Sequence, residues 1–491
     1  MRNLTFIILL IAGAAIFPSC EKLVEIEPPI DSIPTAEMFK TDEQAKTAMA
    51  GVYSKMINGE SGKGAAFAEF SGGLASIIGG FSADELNTAD ALLSNVQFNF
   101  NTNKILFDNS ISPALWTSAY TTIYGANAVI EGIAASTSSG LSEGIRKKLT
   151  AEARFIRAFS YFYLVNFFGE VPNVRTVDFN QTRLYKRAPL AELYKQMIED
   201  LLAAQASLPT VNTSNAGERV YPDKWAATAM LARIYLYTGE YDKAFSQSSA
   251  VIANTGKFIL EPEPANTFLK TSREAIFQLK QNTAASQVGN ATAEGYTLIP
   301  NGSPVNSSID LVRYYLPEYL VNAFEPGDKR FRDWVGISTA NTAGTTLYYA
   351  HKYKTGPRNR TVGGAPTEFY MVLRLAEQYL IRSEAAAHGA AALSDAIDDL
   401  NAIRYRAGLN LLPNTLTQPE VLDAIEKERR VELFLEWAHR WFDLKRTGKA
   451  VSVLSQYPIK QPWEGDYQLL YPIPQDELQT NPNLTPNPGY F

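Results

Sequence analysis

The chain has 491 residues, of which 46% are hydrophobic and 20% charged, so it can bury more than one ordinary core and is not wholly disordered. The formal charge of −6 argues against a nucleic-acid-binding protein, which normally carries a basic surface. A single cysteine excludes an internal disulfide, and three widely separated histidines supply little for metal or acid–base chemistry.

The N-terminal region has the layout of a secretion signal. A short basic head precedes an apolar run over residues 4–17, which is too short to span a membrane. The run ends in "AAIFPSC", which resembles a bacterial lipobox, with the small Ser19 before a cysteine that becomes lipid-modified. We predict a signal peptide over residues 1–19, a lipid anchor at Cys20 and an acidic, proline-rich tether over residues 20–40. An ordinary secretory signal is the alternative.

After residue 41 the apolar spacing is mostly helical, and a short pattern recurs. The pattern Ala-x-x-Tyr occurs in four copies, which end at Tyr53, Tyr161, Tyr235 and Tyr379. Its spacing resembles the first helix of a tetratricopeptide repeat, where the small residue lets a second helix approach. The third copy, "LARIYLYTGEYDKAFSQSSAVI", predicts a turn at residues 238–240 and a second helix. The irregular spacing of the copies argues against a simple solenoid.

Two excursions, over about residues 59–110 and 256–366, break the helical pattern. The first is rich in Gly, Ser and Asn with interleaved Phe. The second combines turn residues, many tyrosines and the strand-like pieces "EAIFQLK" and "TLYYAHKYK". Because binding residues favour loops held on a rigid scaffold, we expect the two excursions to form the ligand face.

The stretch "ERRVELFLEWAHRWFDLKR" predicts one amphipathic helix with an apolar core stripe. On its other face, Glu436 and Arg440 stand four residues apart, which predicts an ion pair. The carboxylates of Glu428, Glu432 and Glu436 could also form a glycosidase pair, but structural charge pairing is the simpler interpretation.

Other motifs give no support for catalysis or for a metal. The stretch "GESGKG" lacks the residues of a phosphate loop and of a dinucleotide fingerprint, and no H-E-x-x-H or G-x-S-x-G motif is present. The stretch "DELNTAD" over residues 84–90 offers oxygen ligands for calcium but lacks the glycine of an EF-hand loop. We interpret it as a solvated acidic turn, and we expect no cofactor and no metal.

Several separate blocks of the chain share one resemblance. They are "AEARFIRAFSYFYLVNFFGEVP", "RLAEQYLIRSEA", "LNAIRYRAGL", "ERRVELFLEWAHRWFDLKRTG" and "LYPIPQDELQTNPNLTPNPGY". Together they resemble the SusD/RagB family of surface nutrient-binding lipoproteins from Bacteroidetes. The resemblance implies a mainly α fold: a SusD-like right-handed helical scaffold with four tetratricopeptide-like helix pairs plus irregular loop and small β insertions, in one composite domain over residues 41–491.

The resemblance also implies a function. It is that of a non-catalytic lipoprotein on the outer face of the outer membrane, which captures oligosaccharides and delivers them to a SusC-like TonB-dependent transporter. A peptide-binding, RagB-like uptake lipoprotein is the alternative within the family. An endo-glycosidase or lyase and a pure protein-interaction scaffold are alternatives from other classes. The absence of a recognisable set of catalytic residues in the sequence counts against a glycosidase or lyase. The many aromatic residues of the excursions favour ligand binding over a pure interaction scaffold.

The matched blocks belong to the scaffold, so the ligand residues have to be predicted from chemistry. Sugar rings have apolar faces edged by hydroxyl groups, so a binding site needs aromatic platforms with amide, carboxylate or cationic partners. The excursions supply the candidates, which are Phe81, Asp84, Asn87, Tyr296, Asn301, Tyr314, Tyr315, Tyr348, Tyr349 and Lys352.

Overall fold

The structure is a computed structural model, and it describes residues 38–59, 69–89, 96–213 and 216–490. The predicted signal peptide, Cys20 and all but the end of the predicted tether lie outside these ranges. Helices dominate the fold, as the sequence predicts. Within the described ranges, no helix is long and apolar enough to cross a membrane.

Helices of very different length follow one another along the chain. Up to residue 298 they are α1 (Asp42–Asn58), α2 (Ala75–Ser82), α3 (Val96–Asn101), α4 (Ile111–Ala135), α5 (Glu143–Phe168), α6 (Phe179–Thr182), α7 (Leu190–Ser207), α8 (Lys224–Tyr237), α9 (Tyr241–Ile252) and α10 (Ala293–Leu298). Beyond it they are α11 (Glu318–Val321), α12 (Lys329–Trp334), α13 (Leu375–Ala385), α14 (Leu393–Ala407), α15 (Gln418–Glu432), α16 (His439–Arg446), α17 (Ala450–Leu454) and α18 (Gln475–Thr480). Single turns of 3₁₀-helix lie at Pro264–Asn266, Pro458–Lys460 and Asp466–Leu469, and π-helical turns at Phe70–Leu74 and Ala386–Ala390.

The third copy of the Ala-x-x-Tyr pattern forms a helix pair, α8 and α9. Asp223 begins α8 by accepting the backbone N–H groups of Trp225 and Ala226. Gly239, with a φ of 74°, lies in the turn between the two helices. The predicted turn is therefore confirmed, and the assignment of four tetratricopeptide-like pairs stays a prediction.

The described chain contains five short antiparallel strand pairs. The pairs are β1 (Asn87–Thr88) with β7 (Tyr314–Tyr315), β2 (Val171–Pro172) with β3 (Arg187–Ala188), β4 (Ala275–Leu279) with β10 (Tyr370–Arg374), β5 (Asn301–Gly302) with β6 (Asp310–Leu311), and β8 (Val335–Ser338) with β9 (Leu347–Ala350). The two strand-like pieces of the second excursion are confirmed as β4 and β9. The pair β1–β7 joins the first excursion to the second.

Part of the first excursion is helical, although its composition predicted a break in the helical pattern. The π-helical turn Phe70–Leu74 continues directly into α2, and all of these residues are buried. A Cβ atom on Gly79 would lie only 2.2 Å from the Cβ atom of Ala438, and one on Gly80 only 2.2 Å from Cδ2 of Leu435. The glycines therefore allow close packing of a core helix, which composition alone does not distinguish from a loop.

The long amphipathic helix predicted around residue 436 is interrupted, so the prediction of one continuous helix is wrong. Between α15 and α16, Leu435, Trp437 and Ala438 adopt positive φ values of 51°, 49° and 61°. The N–H of Leu435 donates to Oε2 of Glu85, and the N–H of Trp437 donates to Oγ of Ser76, each at 3.0 Å. These side-chain acceptors stabilise a left-handed turn that the local sequence disfavours.

The interruption also changes the ion pairs. Glu436 does not pair with Arg440 as predicted, because the two residues no longer lie on one helical face. Its carboxylate contacts Nε of Arg374 at 2.7 Å and Nζ of Lys352 at 2.5 Å. Arg440 instead contacts Oδ1 of Asp84 at 2.8 Å. The charged residues of this segment therefore form ion pairs, as the simpler interpretation predicted, but their partners are distant in the sequence.

The core is one large apolar cluster that runs from Phe39 in the N-terminal part to Ile473 near the C-terminus. A smaller cluster fills the space between α13, α14 and α15. Buried arginines penetrate the core near these helices, and Arg330, Arg374 and Arg406 all contact Glu432. Described residues of both excursions, such as Phe70 and Trp334, belong to the large cluster and are packed into the helical body.

Candidate functional site

Three of the ten predicted ligand residues, Phe81, Asp84 and Lys352, are buried in the described structure. Phe81 is fully buried and packs edge-on against Tyr314. Asp84 is also buried and contacts Arg440 and Arg430, so its place in a solvated acidic turn is a wrong prediction. Although burial opposes ionisation, the charges of the two arginines lower the pKa of Asp84 to about 2. The carboxylate is therefore a structural counter-ion.

Lys352 is the third enclosed candidate. Its Nζ donates to the backbone oxygen of Glu432 at 2.9 Å and to Oε1 of Glu436 at 2.5 Å. It also lies over the rings of Phe434 and Trp334, 4.1 and 4.7 Å from their centroids. Burial lowers its pKa to about 8, against the attraction of Glu436. Its ammonium group is therefore buried and paired within the core in this structure.

Strand pairing brings four other candidates together. Asn87 lies opposite Tyr315 in the pair β1–β7, and Thr88 lies opposite Tyr314. The backbone N–H following Tyr315 donates to the oxygen of Tyr348, which connects β7 to β9. The side chains of Asn87, Tyr314, Tyr315 and Tyr348 are all partly exposed. The two excursions thus meet at one surface, although they are about 220 residues apart in the sequence.

The remaining candidates are Tyr349 on β9, Tyr296 on α10 and Asn301 on β5. Tyr349 packs over Gly336 in the pair β8–β9, since a Cβ atom there would lie 2.2 Å from the tyrosine ring. Tyr296 lies in α10 beneath the guanidinium group of Arg360, 5.4 Å from the ring centroid. Asn301 begins β5 and is exposed.

Two tyrosines that sequence reasoning missed extend the surface at β1–β7. The rings of Tyr319 and Tyr457 stack with centroids 3.9 Å apart and planes inclined by 24°. The hydroxyl group of Tyr457 donates to Oδ2 of Asp84 at 3.2 Å. Burial, followed by the charge of Asp84, raises the pKa of Tyr319, and Tyr315 also lies near enough to contribute. We call Asn87, Tyr314, Tyr315, Tyr319 and Tyr457 the tyrosine cluster.

The tyrosine cluster has the chemistry of a site for a neutral polar ligand. Its partly exposed rings offer flat apolar surfaces and hydroxyl groups, and Asn87 adds an amide at the edge. The ring of Tyr457 is held by the buried Asp84, which is itself fixed by Arg440. Preorganised aromatic surfaces lose little conformational entropy when a ligand binds.

Two buried carboxyl groups in this region have unusual pKa values. Burial raises the pKa of Glu85 to about 8 and that of Glu294 to about 7. Glu85 accepts the N–H of Leu435, and Glu294 accepts the hydroxyl group of Ser76 at 3.3 Å. Both therefore belong to the packing of α2 against the interrupted helix. Within the described ranges, no group of three or more His, Cys, Asp or Glu residues is placed to hold a metal ion.

Comparison with protein families gives two matches, which together cover most of the described chain. Residues 301–490 match a family model described as "SusD family". Residues 80–236 match a model described as "Starch-binding associating with outer membrane". The chain belongs to the SusD-like family. The tyrosine cluster draws on both matched segments, since Asn87 lies in the N-terminal one and the four tyrosines lie in the C-terminal one.

Full-length relatives share this assignment. The SusD-like protein is 28% identical to SusD-like protein P2 of Formosa agariphila, over 99% of each chain. It is 23% identical to the starch-binding protein SusD of Bacteroides thetaiotaomicron, over 72% of this chain and 74% of that protein.

Solved structures have the same fold. A SusD superfamily protein from Bacteroides vulgatus superposes with a TM-score of 0.78 at 21% identity, over 92% of this chain and all of that one. A laminarin-binding SusD-like protein superposes with a TM-score of 0.73 at 24% identity, over the same shares. The mainly α fold class predicted from the sequence is thereby confirmed.

Proposed function

We propose that this SusD-like protein is a non-catalytic lipoprotein of the cell surface that captures oligosaccharides and delivers them to a SusC-like TonB-dependent transporter in the outer membrane. The observation that carries the proposal is the tyrosine cluster, a partly exposed aromatic surface built where the two excursions meet. Relatives described as starch-binding and laminarin-binding support a glycan as the ligand. Cys20 is the proposed lipid anchor.

The proposed contacts within the cluster follow from exposure. Tyr315 and Tyr319 present partly exposed rings on which the apolar face of a sugar can stack. Asn87 lies opposite Tyr315, and its side-chain N–H groups can donate to sugar hydroxyl groups while its Oδ1 accepts from Asn101. Phe81 and Asp84 support this surface from below, through Tyr314 and Tyr457 respectively. Tyr296, Asn301, Tyr348 and Tyr349 stay predicted contacts for a longer ligand.

Calorimetric titration of the protein beginning at Glu21 tests the proposal. The panel contains plant, host and microbial oligosaccharides together with mixed peptides. We expect saturable binding of one sugar class without hydrolysis. Replacing Tyr315 or Tyr319 by Ala should weaken that binding roughly tenfold to a hundredfold, because each loses about 1.5–3 kcal/mol of apolar contact.

Tyr405 gives a matched control, because it is 77% exposed on α14. The substitution Tyr405→Ala should leave the affinity unchanged. Binding of peptides but of no sugar would support a peptide-uptake lipoprotein instead. Cleavage of the glycan would support an endo-glycosidase or lyase. Equal affinities of Tyr319→Ala and Tyr405→Ala for the sugar would exclude the tyrosine cluster as the site.

A further inference from the structure

A large cavity outside the tyrosine cluster has no role in the proposed glycan site. It has a volume of about 570 Å³ and lies among the ends of α8 and α13, the start of α9, and the helices α15 and α16. Five cationic side chains line it, namely Arg429, Arg430, Arg440, Arg446 and Lys449. Three carboxylates also line it, namely Glu384, Glu426 and Asp443. We call this cavity the basic pocket.

Most of the charges in the basic pocket are paired with one another. Arg446 contacts Glu384 at 2.5 Å and Asp443 at 2.8 Å, and Arg429 contacts Asp443 at 2.7 Å. Asp84, behind the lining, contacts Arg430 at 2.6 Å. The net positive charge of the lining is therefore small and attracts an anion only modestly. The hydrogen-bond donors that have no partner in the described part of the chain indicate which kind of ligand the pocket accepts.

Three lining residues have buried donor groups without an acceptor among the described residues. They are the hydroxyl group of Tyr237, Nη1 of Arg429 and Nε of Arg430. Arg429 is only 4% exposed. Buried polar groups in proteins almost always have a hydrogen-bond partner, and an unpaired one costs free energy. Guanidinium N–H groups can only donate, so the missing partner has to be an acceptor.

An aromatic surface lies in the same lining. The ring of Tyr241 stacks on the ring of His388, with centroids 4.2 Å apart and planes inclined by only 9°. Both residues line the pocket, and Tyr241 is partly exposed. The pocket thus combines donors, cationic charge and one flat face, in a volume typical of small-molecule sites.

We propose that the basic pocket binds a small organic oxyanion, a carboxylate or sulfate ester of about the size of a monosaccharide. The oxyanion accepts hydrogen bonds from Arg429, Arg430 and Tyr237, and Lys449 at the rim adds attraction. The ring or apolar part of the ligand lies against Tyr241. The proposal does not rest on glycan binding by the tyrosine cluster, since no residue of the cluster lines the pocket. The two regions are linked through Asp84, which contacts Arg430 and Arg440 of the lining and Tyr457 of the cluster.

Titration with defined acids tests the proposal. The probes are glucuronate, galacturonate, a sulfated glucose and inorganic sulfate, with glucose and galactose as neutral counterparts. We expect saturable binding of at least one acid, competition by inorganic sulfate, and no binding of the neutral sugars. Salt should weaken the binding because part of the attraction is between charges.

The substitution Tyr237→Phe is the sharpest variant, because the hydroxyl group has no partner in the protein and its removal leaves nothing unpaired. It should weaken acid binding about tenfold or more, as expected for a hydrogen bond to a charged group. The substitution Lys449→Gln, at a side chain that is 41% exposed, should weaken it about two- to fivefold.

Lys243 provides the control, since it is 59% exposed on the neighbouring α9 and does not line the pocket. Lys243→Gln should bind the acid as the unmodified protein does. Far-ultraviolet circular dichroism of each variant verifies folding. The proposal is overturned if none of the acids binds saturably, if a neutral sugar binds as tightly as its acid, or if folded Tyr237→Phe retains full affinity.

Discussion

Asp84 and Glu85 are adjacent buried carboxyl groups with opposite protonation. Burial disfavours the charge of both, but Arg440 and Arg430 outweigh it at Asp84 and lower the pKa to about 2. At Glu85 burial raises the pKa to about 8, in spite of the N–H group donated by Leu435. Around neutral pH, Asp84 is therefore ionised, whereas Glu85 is largely protonated.

The raised pKa of Glu85 predicts a pH dependence of stability. The carboxyl group ionises near pH 4.5 in the unfolded chain but only near pH 8 in the folded one. Its contribution to stability is therefore complete below pH 4.5 and is lost as the pH rises through 8. The substitution Glu85→Gln removes this loss, so the melting temperature of the variant relative to the unmodified protein should rise by a few degrees between pH 5 and pH 8.

The measured quantity is the change in melting temperature between pH 5 and pH 8. A destabilisation by the Gln amide that is the same at every pH therefore does not affect the result. Asp84, Arg440 and Lys352 face Glu85 and remain in both proteins. Glu143→Gln is the control, because Glu143 is 71% exposed at the start of α5. Its melting temperature should follow that of the unmodified protein across the range. A Glu85→Gln profile parallel to that of the control would contradict the prediction.

At the scale of elements, the packing of α2 against the turn between α15 and α16 depends on Gly79. A Cβ atom there would overlap Ala438, whose left-handed backbone conformation leaves it little freedom to move. The substitution Gly79→Ala should therefore lower the free energy of unfolding by about 1–3 kcal/mol, the usual cost of overpacking. Thermal or urea-induced unfolding measures the change.

Gly51 provides a matched comparison within α1. A Cβ atom there meets no heavy atom within 4 Å, so Gly51→Ala should stabilise the protein by about 0.5–1 kcal/mol through helix propensity alone. Opposite signs for the two substitutions are expected. Stabilisation by Gly79→Ala would show that the turn after α15 yields to the added methyl group.

Elements with local signals could be predicted from the sequence, and elements set by distant contacts could not. The turn between α8 and α9 is encoded by adjacent residues, including Gly239. The turn after α15 depends on Glu85, whose carboxyl group accepts a hydrogen bond from the N–H of Leu435, 350 residues away. The residues of the tyrosine cluster divide in the same way. Tyr315 could be predicted because it lies in a tyrosine-rich excursion, whereas Tyr457 could not, because its position depends on a hydrogen bond to Asp84, 373 residues away.

At the scale of the whole molecule, the N-terminal end of the described chain is fixed to the helical body. The ring of Phe39 packs against Gly132 in α4, and its backbone oxygen accepts from Oγ of Ser136 at 2.6 Å. From Cys20 to this attachment point, 19 residues extend at most about 65 Å. A lipid at Cys20 would therefore keep this attachment point within about 65 Å of the membrane.

The substitution Cys20→Ala tests the proposed anchor. The unmodified protein should fractionate with membranes and have an acylated cysteine detectable by mass spectrometry, and Cys20→Ala should appear in the soluble fraction, because acyl chains supply the membrane affinity at about 0.8 kcal/mol per buried methylene. Ser19→Ala keeps a small residue before the cysteine and should stay anchored. Protease added to intact cells should digest the unmodified protein. A soluble, unacylated protein would support an ordinary secretory signal, and an acylated protein protected from protease would place it on the inner face.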